Sequence, residues 1–258
     1  MAGRASFDFS SSSILVTGAS RGIGLAIAQG FAEAGAEVWA LAEDAGIVDA
    51  AAAIEHRTGA RVHPLRCDIA DGAMVGEVLA AVPRIDVLIN NAGYQPRTPV
   101  GSQSDEAFAR VTAVNVVGTW HVTRHALEKM PDGGRIIATS SIWGKTGAAE
   151  YSGYAASKHA TIGLVRSLAM ELGPRGITVN AVCPGWVDTE GAMWTVREIA
   201  EEQRRPIDAL MREYVAAQPL PGVMATTDLV ATYLFLASSA AKDITGQAIN
   251  VDRGSFIG

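Results

Sequence analysis

A glycine-rich turn near the N-terminus restricts the fold of this chain more than any other feature. A short apolar strand at residues 14–16 runs into residues 17–24, where three glycines are spaced G-x-x-x-G-x-G, and an alanine-rich helix follows. A second strand at 38–42 completes a strand–turn–helix–strand unit. Glycines let a backbone approach a ligand closely, and the first N–H groups of a helix attract anions. The unit predicts a phosphate-binding turn, with a purely structural turn as the alternative.

Strands and helices continue to alternate along the rest of the chain. Such alternation favours parallel strands with helices packed on both faces. We therefore predict an α/β fold in which residues 1–258 form a single domain, a Rossmann-like doubly wound sheet of about seven parallel strands. Residues 186–223 interrupt the alternation just after the carboxyl end of a strand, where open sheets of this type bind ligands. This segment is predicted to be a substrate-binding lid.

Composition narrows the possible partners. The net charge is −6 and there is no basic tract, which argues against nucleic acid as a partner. No apolar run approaches the length of a membrane span, and the first residues lack the apolar block of a secretion signal. We therefore expect no membrane association and a cytoplasmic location. Cys67 and Cys183 match no metal-binding spacing, so no metal is expected.

Two polar residues stand near the start of an amphipathic helix predicted at residues 152–173. Tyr154 and Lys158 are four residues apart, so their side chains leave the same face of the helix. An ammonium group beside a phenol favours the phenolate and lowers the tyrosine pKa from about 10, and a helix N-terminus acts in the same direction. Such a tyrosine could exchange a proton with an alcohol or carbonyl oxygen near neutral pH. An ordinary surface pair at this spacing is the alternative.

Taken together, the motifs resemble those of the classical short-chain dehydrogenase/reductase family along nearly the whole chain. They occur in the family's order, each at the predicted end of a strand or helix. They are the glycine turn at 17–24, Cys67-Asp68-Ile69, Asn90-Asn91-Ala92-Gly93, Asn115-Val116-Val117-Gly118, Ser140-Ser141, Tyr154-x-x-x-Lys158 and Pro184-Gly185-Trp186-Val187-Asp188-Thr189. The resemblance implies hydride transfer between a nicotinamide cofactor and a secondary alcohol or ketone.

The resemblance also implies the roles of four catalytic residues. Tyr154 would be the general acid/base, and Lys158 would lower its pKa and hold the nicotinamide ribose. Ser141 would hydrogen-bond the reacting oxygen, with Ser140 as its competitor for that role. Asn115 would position a water that connects Lys158 to solvent.

The cofactor would be NAD or NADP. Acidic side chains at the end of the second strand accept the ribose hydroxyl of NAD, and Glu43 and Asp44 follow directly after Ala42, where NAD-using relatives carry Asp. Arg21 instead resembles NADP-using members. We favour NAD. The cofactor contacts implied by the family are Gly18, Ser20, Arg21, Gly22, Ile23, Gly24, Glu43, Asp68, Ile69, Asn91, Ala92, Gly93, Tyr154, Lys158, Pro184, Gly185, Val187 and Thr189.

The substrate is expected to be a small alcohol or ketone held by an aromatic wall. The candidate contacts are Ser141, Tyr154, Tyr94, Trp143, Glu150, Tyr151, Trp186 and Trp194. Three alternatives remain: an NADPH-dependent β-ketoacyl thioester reductase, a non-redox enzyme on the same scaffold, and a non-catalytic regulatory protein that binds the cofactor. The family further implies a homotetramer.

Overall fold

Seven parallel strands form one sheet in the order β3-β2-β1-β4-β5-β6-β7, which confirms the predicted fold class. The computed structural model describes residues 5–101, 103–216 and 218–257. The order runs outward in both directions from β1 and β4, so the chain changes direction across the sheet between these two strands. The strands are β1 (Ser13–Thr17), β2 (Glu37–Ala42), β3 (Val62–Arg66), β4 (Val87–Asn90), β5 (Arg135–Thr139), β6 (Thr178–Pro184) and β7 (Ala248–Val251).

Helices cover both faces of the sheet because successive strand residues point to opposite sides. In β4, Ile89 packs into the apolar core on one face and Leu88 into the core on the other. The helices are α1 (Gly22–Glu33), α2 (Ile47–Thr58), α3 (Gly72–Ala80), α4 (Asp105–Thr112), α5 (Thr119–Leu127), α6 (Ser152–Leu172), α7 (Glu190–Glu202), α8 (Ile207–Ala216) and α9 (Thr227–Ala237). None of the helices in the described part of the chain is both long and apolar enough to cross a membrane.

The sequence predicts one long helix at residues 104–130, but the structure shows an interruption. A π-helical turn, Ala113–Gly118, separates α4 from α5. Gly118 lies at the end of this turn, and a Cβ there would come within 2.6 Å of the Ile69 side chain. The close packing of the Asp68–Ile69 loop against the helix explains why glycine occupies this position.

The predicted lid contains α7 and α8, which pack mainly on each other. Val196, Ala200 and Leu210 form a small apolar cluster separate from the two cores of the sheet. Trp186 stacks on Tyr214 beside this cluster, with 4.9 Å between the ring centroids. Within the predicted lid range, residue 217 lies outside the described residues.

Candidate active site

A cleft of about 1160 Å³ opens at the carboxyl ends of the strands. It extends from the glycine turn after β1, past the ends of β4 and β5, to the lid after β6. This is the position where open α/β sheets bind ligands. Most of the predicted site residues line it, namely Gly18, Ser20, Arg21, Gly22, Ile23, Glu43, Asp68, Ile69, Asn91, Ala92, Gly93, Tyr94, Ser141, Trp143, Tyr154, Lys158, Pro184, Gly185, Trp186, Val187, Thr189 and Trp194.

Helix α6 presents Tyr154 and Lys158 to the cleft from its first two turns. The Lys158 side chain is buried, and its Nζ donates a hydrogen bond to the backbone carbonyl of Thr139 at 2.8 Å. The same Nζ lies 5.5 Å from the centroid of the Tyr154 ring. The end of β5 therefore fixes the lysine beside the tyrosine ring.

Burial shifts the pKa values of this pair away from their ordinary values. It raises the pKa of Tyr154 to about 12, although a hydrogen bond with Ser141 acts in the opposite direction. It lowers the pKa of Lys158 to about 8. The expectation of a lowered tyrosine pKa is thus wrong, because the loss of water around the buried phenol outweighs the favourable contact with Ser141.

The two adjacent serines at the end of β5 have different environments. Ser140 is buried, and its hydroxyl donates to the backbone carbonyl of Lys158 at 3.0 Å, which ties β5 to α6. Ser141 lines the cleft, and its Oγ accepts a hydrogen bond from the Trp143 N–H at 3.1 Å. Of the two, only Ser141 has its hydroxyl beside the phenol of Tyr154.

Asn115 lies in the π-helical turn and is buried behind the cleft wall. Its Oδ1 accepts from the Tyr94 N–H at 2.8 Å, and its Nδ2 donates to the Tyr94 carbonyl at 3.0 Å and to Ser157 Oγ at 2.9 Å. Since both ends of the amide are engaged, the side chain joins the loop after β4 to α6. The structure does not place Asn115 among the residues that line the cleft.

The glycine turn packs tightly against the loop after β4 and leaves the start of α1 open to an anion. Gly18 has a φ of +67°, and a Cβ there would lie 2.8 Å from Ala92 Cα. Helix α1 begins at Gly22, and within the described chain no side chain caps its N-terminus, so its first N–H groups are available to an anion. Gly24 was predicted to contact the cofactor but does not line the cleft. Glycine is required there for packing, since a Cβ would fall 2.1 Å from the Gly18 carbonyl oxygen. It permits close packing of α1 against the turn. These residues fit the pyrophosphate of a nicotinamide dinucleotide.

Charged side chains gather where the adenosine part of such a ligand would lie. Ser20 Oγ donates to Asp44 Oδ2 at 2.7 Å, and Arg21 pairs with the same carboxylate at 3.6 Å. The hydrogen bond from Ser20, with the charge of Arg21, holds the pKa of Asp44 below its usual value.

A second arginine joins this region from α4. Arg110 pairs with Asp68 at 3.0 Å and with Glu43 at 3.3 Å, and it lines the cleft. Arg110 was not predicted as a site residue. Arg110 lies in α4, five residues before Asn115, and belongs to no motif that would mark it as a site residue. Only the folded structure shows that α4 lies beside the end of β3.

The predicted aromatic wall is only partly assembled at the cleft. Trp143 packs edge-on against Tyr154 with a centroid distance of 5.9 Å. Tyr151 lies behind Trp143, at 5.1 Å, and is buried. Neither Tyr151 nor Glu150 lines the cleft; Glu150 instead forms an ion pair with Arg97.

Arg97, in the loop after β4, is another cleft residue that was not predicted. Besides Glu150, it pairs with Glu202 of α7, with 2.8 Å between Nη1 and Oε2. The hydrogen bond with Glu150, followed by that with Glu202, raises the pKa of the guanidinium above its usual value. A charged residue four positions after the Asn90–Gly93 motif is the signal that could have drawn attention to it.

Comparisons with known proteins show which family the chain resembles. A family model described as enoyl-(acyl carrier protein) reductase matches residues 18–255. The D-beta-hydroxybutyrate dehydrogenase of Cupriavidus necator is 34% identical over 249 residues, covering 93% of this chain and 96% of that protein. The 3-oxoacyl-(acyl-carrier-protein) reductase FabG of Escherichia coli (strain K12) is 35% identical over 249 residues, covering 94% of this chain and 96% of the relative.

A solved structure with a similar fold is the L-sorbose reductase from Gluconobacter frateurii, complexed with NADPH and L-sorbose. It matches with a TM-score of 0.90 at 26% identity, over 98% of both chains. The family model and these relatives extend over nearly the whole chain, and they agree with the motifs and with the sheet order. The protein therefore belongs to the short-chain dehydrogenase/reductase family.

Proposed function

We propose that Tyr154, Ser141 and Lys158 carry out the acid–base chemistry of this NAD(P)-dependent oxidoreductase. The family and the named dehydrogenases and reductases among its relatives make the chain an enzyme that interconverts an alcohol and a ketone. The observation that supports the residue roles is the position of the Tyr154 phenol beside Ser141 in the cleft, with Lys158 held at the same place by Thr139.

The roles follow from this geometry. A bound nicotinamide supplies the hydride acceptor or donor. Ser141 donates a hydrogen bond to the reacting oxygen, and Tyr154 accepts the hydroxyl proton in the oxidation direction or donates it to the carbonyl in reduction. The Lys158 ammonium stabilises negative charge on the phenol oxygen. Trp143 packs against the ring edge-on and restricts its orientation.

Replacing Tyr154 by Phe tests these roles. We expect kcat to fall about a hundredfold to ten-thousandfold, the usual range for general acid–base catalysis, while the Kd of the cofactor stays within about twofold. Tyr214→Phe, in the lid, is the control and should keep wild-type kcat. The assignment fails if Tyr154→Phe turns over alcohols at the wild-type rate.

A β-ketoacyl thioester reductase is the second candidate, because the FabG relative is 35% identical to this chain. Absorbance of the reduced nicotinamide, followed with alcohols, ketones and a β-ketoacyl thioester, separates the two candidates. A protein that binds cofactor but turns over none of these would point to the regulatory alternative.

Charge at the end of β2 supports NAD as the preferred cofactor. Among the described residues, Arg21 and Arg110 form the ion pairs of Glu43, Asp44 and Asp68. A third arginine, Arg66, is engaged with the Glu43 backbone carbonyl at 3.1 Å, so each of these cations already has a partner. A ribose hydroxyl can donate to these carboxylates, whereas a phosphate would bring about two further negative charges. We expect kcat/KM to be higher with NAD than with NADP, and Asp44→Ala to reverse or narrow that ratio. A wild-type preference for NADP would contradict the proposal.

We also propose how the chain assembles, how it is divided into domains and where it is located in the cell. Exposed apolar side chains on α4, α5 and α6, including Phe108, Trp120 and Met170, support a homotetramer built on these helices. Gel filtration that finds a stable monomer would exclude it. We also propose a single domain with a lid at residues 186–223 that covers the substrate, and a cytoplasmic location, where Cys67 and Cys183 would remain reduced thiols.

A further inference from the structure

The wall of the cleft on the lid side is acidic. Arg97 is its one cation among the residues described here, and two carboxylates, Glu150 and Glu202, already bind it. Glu198 of α7 lines the cleft one helical turn after Trp194. On this wall Arg97 and Glu198 line the cleft, whereas Glu150 and Glu202 bind Arg97 without lining it. The three carboxylates and one guanidinium carry a net charge of about −2 when all four groups are ionised.

Polar atoms of this wall are buried without partners. Glu198 Oε2 and Arg97 Nε have no hydrogen-bond partner among the described residues. Directly behind them lies the Tyr151 side chain, only 4% exposed, whose hydroxyl also lacks a well-formed hydrogen bond. Burial raises the pKa of Tyr151, and the charges of Arg97 and Glu198 lie close enough to shift it further in opposite directions. A buried carboxylate oxygen without a partner is costly, and a ligand donor that reaches it recovers this cost.

We propose that Glu198 accepts a hydrogen bond from a second, non-reacting hydroxyl group of the substrate, and that this wall selects uncharged hydroxylated substrates against carboxylates. The inference rests on the proposed function of the same cleft. A substrate carboxylate would face the unpaired Glu198 and would have to displace Glu150 or Glu202 from Arg97. An uncharged hydroxyl meets neither obstacle.

Three matched four-carbon compounds test the proposal in the wild-type enzyme. They are sec-butanol, β-hydroxybutyrate, and the diol in which the carboxylate of β-hydroxybutyrate is replaced by a hydroxymethyl group. All three present the same reacting carbon. We expect kcat/KM to be highest for the diol, lower for sec-butanol and lowest for β-hydroxybutyrate, with about a tenfold or larger gap between diol and hydroxy acid because a hydrogen bond to a charged group is involved.

Glu198→Ala then isolates the residue. The variant should raise KM for the diol about tenfold, leave sec-butanol within about twofold, and narrow the gap between diol and hydroxy acid. Glu201→Ala, exposed on the same helix, is the matched control. The proposal is overturned if β-hydroxybutyrate is the better substrate, or if Glu198→Ala leaves the ratio of diol to sec-butanol unchanged.

Failure of the proposed function would look different. In that case none of the three compounds is turned over, and the order of their Kd values for the protein–cofactor complex, measured by calorimetry, still decides the proposal. The same order, diol tightest and hydroxy acid weakest, supports it, and any other order overturns it.

A second inference comes from a buried hydrogen-bond chain on the other side of the cleft. The hydroxyl of Tyr233, on α9, is 2.7 Å from Thr139 Oγ1, and Thr139 Oγ1 donates to Asn91 Oδ1 at 3.1 Å. An amide oxygen can only accept, so the threonine proton points to Asn91 and the Tyr233 hydroxyl is the donor to Thr139. Asn91 in turn donates from Nδ2 to the Thr17 carbonyl of the glycine turn at 3.1 Å.

We infer that Tyr233 is a positioning residue that acts through Thr139. Thr139 is bonded in two directions, since its side chain holds Asn91 and its carbonyl accepts from Lys158 Nζ. Tyr233 is fully buried and does not line the cleft, whereas Thr139, which its hydroxyl contacts, does. Its hydroxyl therefore fixes the residue on which both the lysine and the glycine turn depend.

A double-mutant cycle tests this role. Tyr233→Phe should lower kcat/KM about fivefold to tenfold in the wild-type background and less than about twofold in a Thr139→Val background. In a plot of kcat/KM against pH, the midpoint of the fall at alkaline pH should also move in Tyr233→Phe. The reason is that the Thr139 carbonyl, which accepts the hydrogen bond of Lys158, shifts. Equal losses in both backgrounds, or a loss of thermal stability with an unmoved pH midpoint, would reduce Tyr233 to a packing residue.

Discussion

Lys158 and Glu198 are ionisable side chains of the same cleft, and they differ in burial and in hydrogen bonding. Lys158 is buried, and Thr139 accepts its hydrogen bond at 2.8 Å. Glu198 is half-buried, and its Oε2 has no partner within the described residues. The side of the cleft formed by β5 and α6 is thus complete before a ligand binds, whereas the lid side still has hydrogen bonds to make. This difference agrees with the two proposals above, in which the sheet side carries out the proton transfer and the lid side selects the substrate.

The packing behind the two sides differs in the same sense. The strand ends at the catalytic side belong to two large cores that cover both faces of the sheet. Helices α7 and α8 share a cluster of three buried residues of their own, and the ion pair of Arg97 with Glu202 is one contact between α7 and the body. We therefore expect the proposed lid to move, if α7 and α8 separate from the body, without unfolding of the sheet.

The largest effect is expected from Lys158→Met, which removes the buried charge from the side of the cleft formed by β5 and α6. We expect kcat/KM to fall about a hundredfold or more. The free energy of unfolding should rise by about 1 kcal/mol or more near pH 7, because a buried ammonium costs solvation. Lys242→Met, on the surface, should change neither quantity.

The sign of the pH dependence checks the stability effect. The pKa of Lys158 falls from its ordinary value of 10.5 to about 8 in the folded protein, so between these values the unfolded chain binds more protons. Stability of the wild type should rise with pH across that window relative to Lys158→Met. Denaturation by urea at several pH values measures it, and an opposite slope would contradict the burial of a titrating lysine.

The next effect compares the core of the sheet with the apolar cluster of the lid. Ile89→Ala, in β4, should lower the free energy of unfolding by about 2–5 kcal/mol. Leu210→Ala, in the lid cluster, should change the global value by less than about 1 kcal/mol and instead speed hydrogen exchange of α7 and α8. Equal losses of global stability in both variants would mean that the lid folds as part of the main core.

Arg97→Met should have a smaller effect, on binding alone. Loss of the contact between the body and α7 is expected to raise substrate KM about threefold to tenfold and to leave kcat within about twofold, since a half-exposed ion pair contributes about 1 kcal/mol. Arg212→Met, exposed on α8, is the control. A fall in kcat without a change in KM would assign Arg97 to the reaction itself.

The smallest effect is in the pH profile of the wild type. As pH rises through about 8, Lys158 loses its proton. The pKa of Tyr154 then rises further and proton donation to a carbonyl becomes harder. We expect kcat/KM for reduction to be flat below pH 8 and to fall by a factor of several above it; a flat profile across this range would place the lysine pKa elsewhere.

Much of the fold and of the cleft could be predicted from local sequence signals. The glycine spacing, the alternating apolar strands and the Tyr154–Lys158 pair each occupy a short stretch of chain. The sheet order brings the carboxyl ends of the strands together, and the glycine turn and the Tyr154–Lys158 pair line one cleft there, as expected. The π-helical turn at Ala113–Gly118 was not predicted from the sequence. The need for glycine at its end becomes clear only when Ile69, from a separate segment, is seen packed against residue 118.

What the sequence could not provide were effects that arise only in the assembled structure. The raised pKa of Tyr154 reflects burial by distant segments. Arg97 bonds partners more than fifty residues away along the chain. Tyr233 looks like an ordinary apolar position of α9 until Thr139 is found beside its hydroxyl.

The self-contained packing of α7 and α8 has a consequence for how this protein can diverge. An insertion that brings its own apolar cluster can change in length and side chains while the strands beneath it keep their register. Transplanting such a segment between relatives should therefore exchange their preferred substrates and leave the proton and hydride chemistry in place. In this molecule, evolution could alter which compound is used without altering how it reacts.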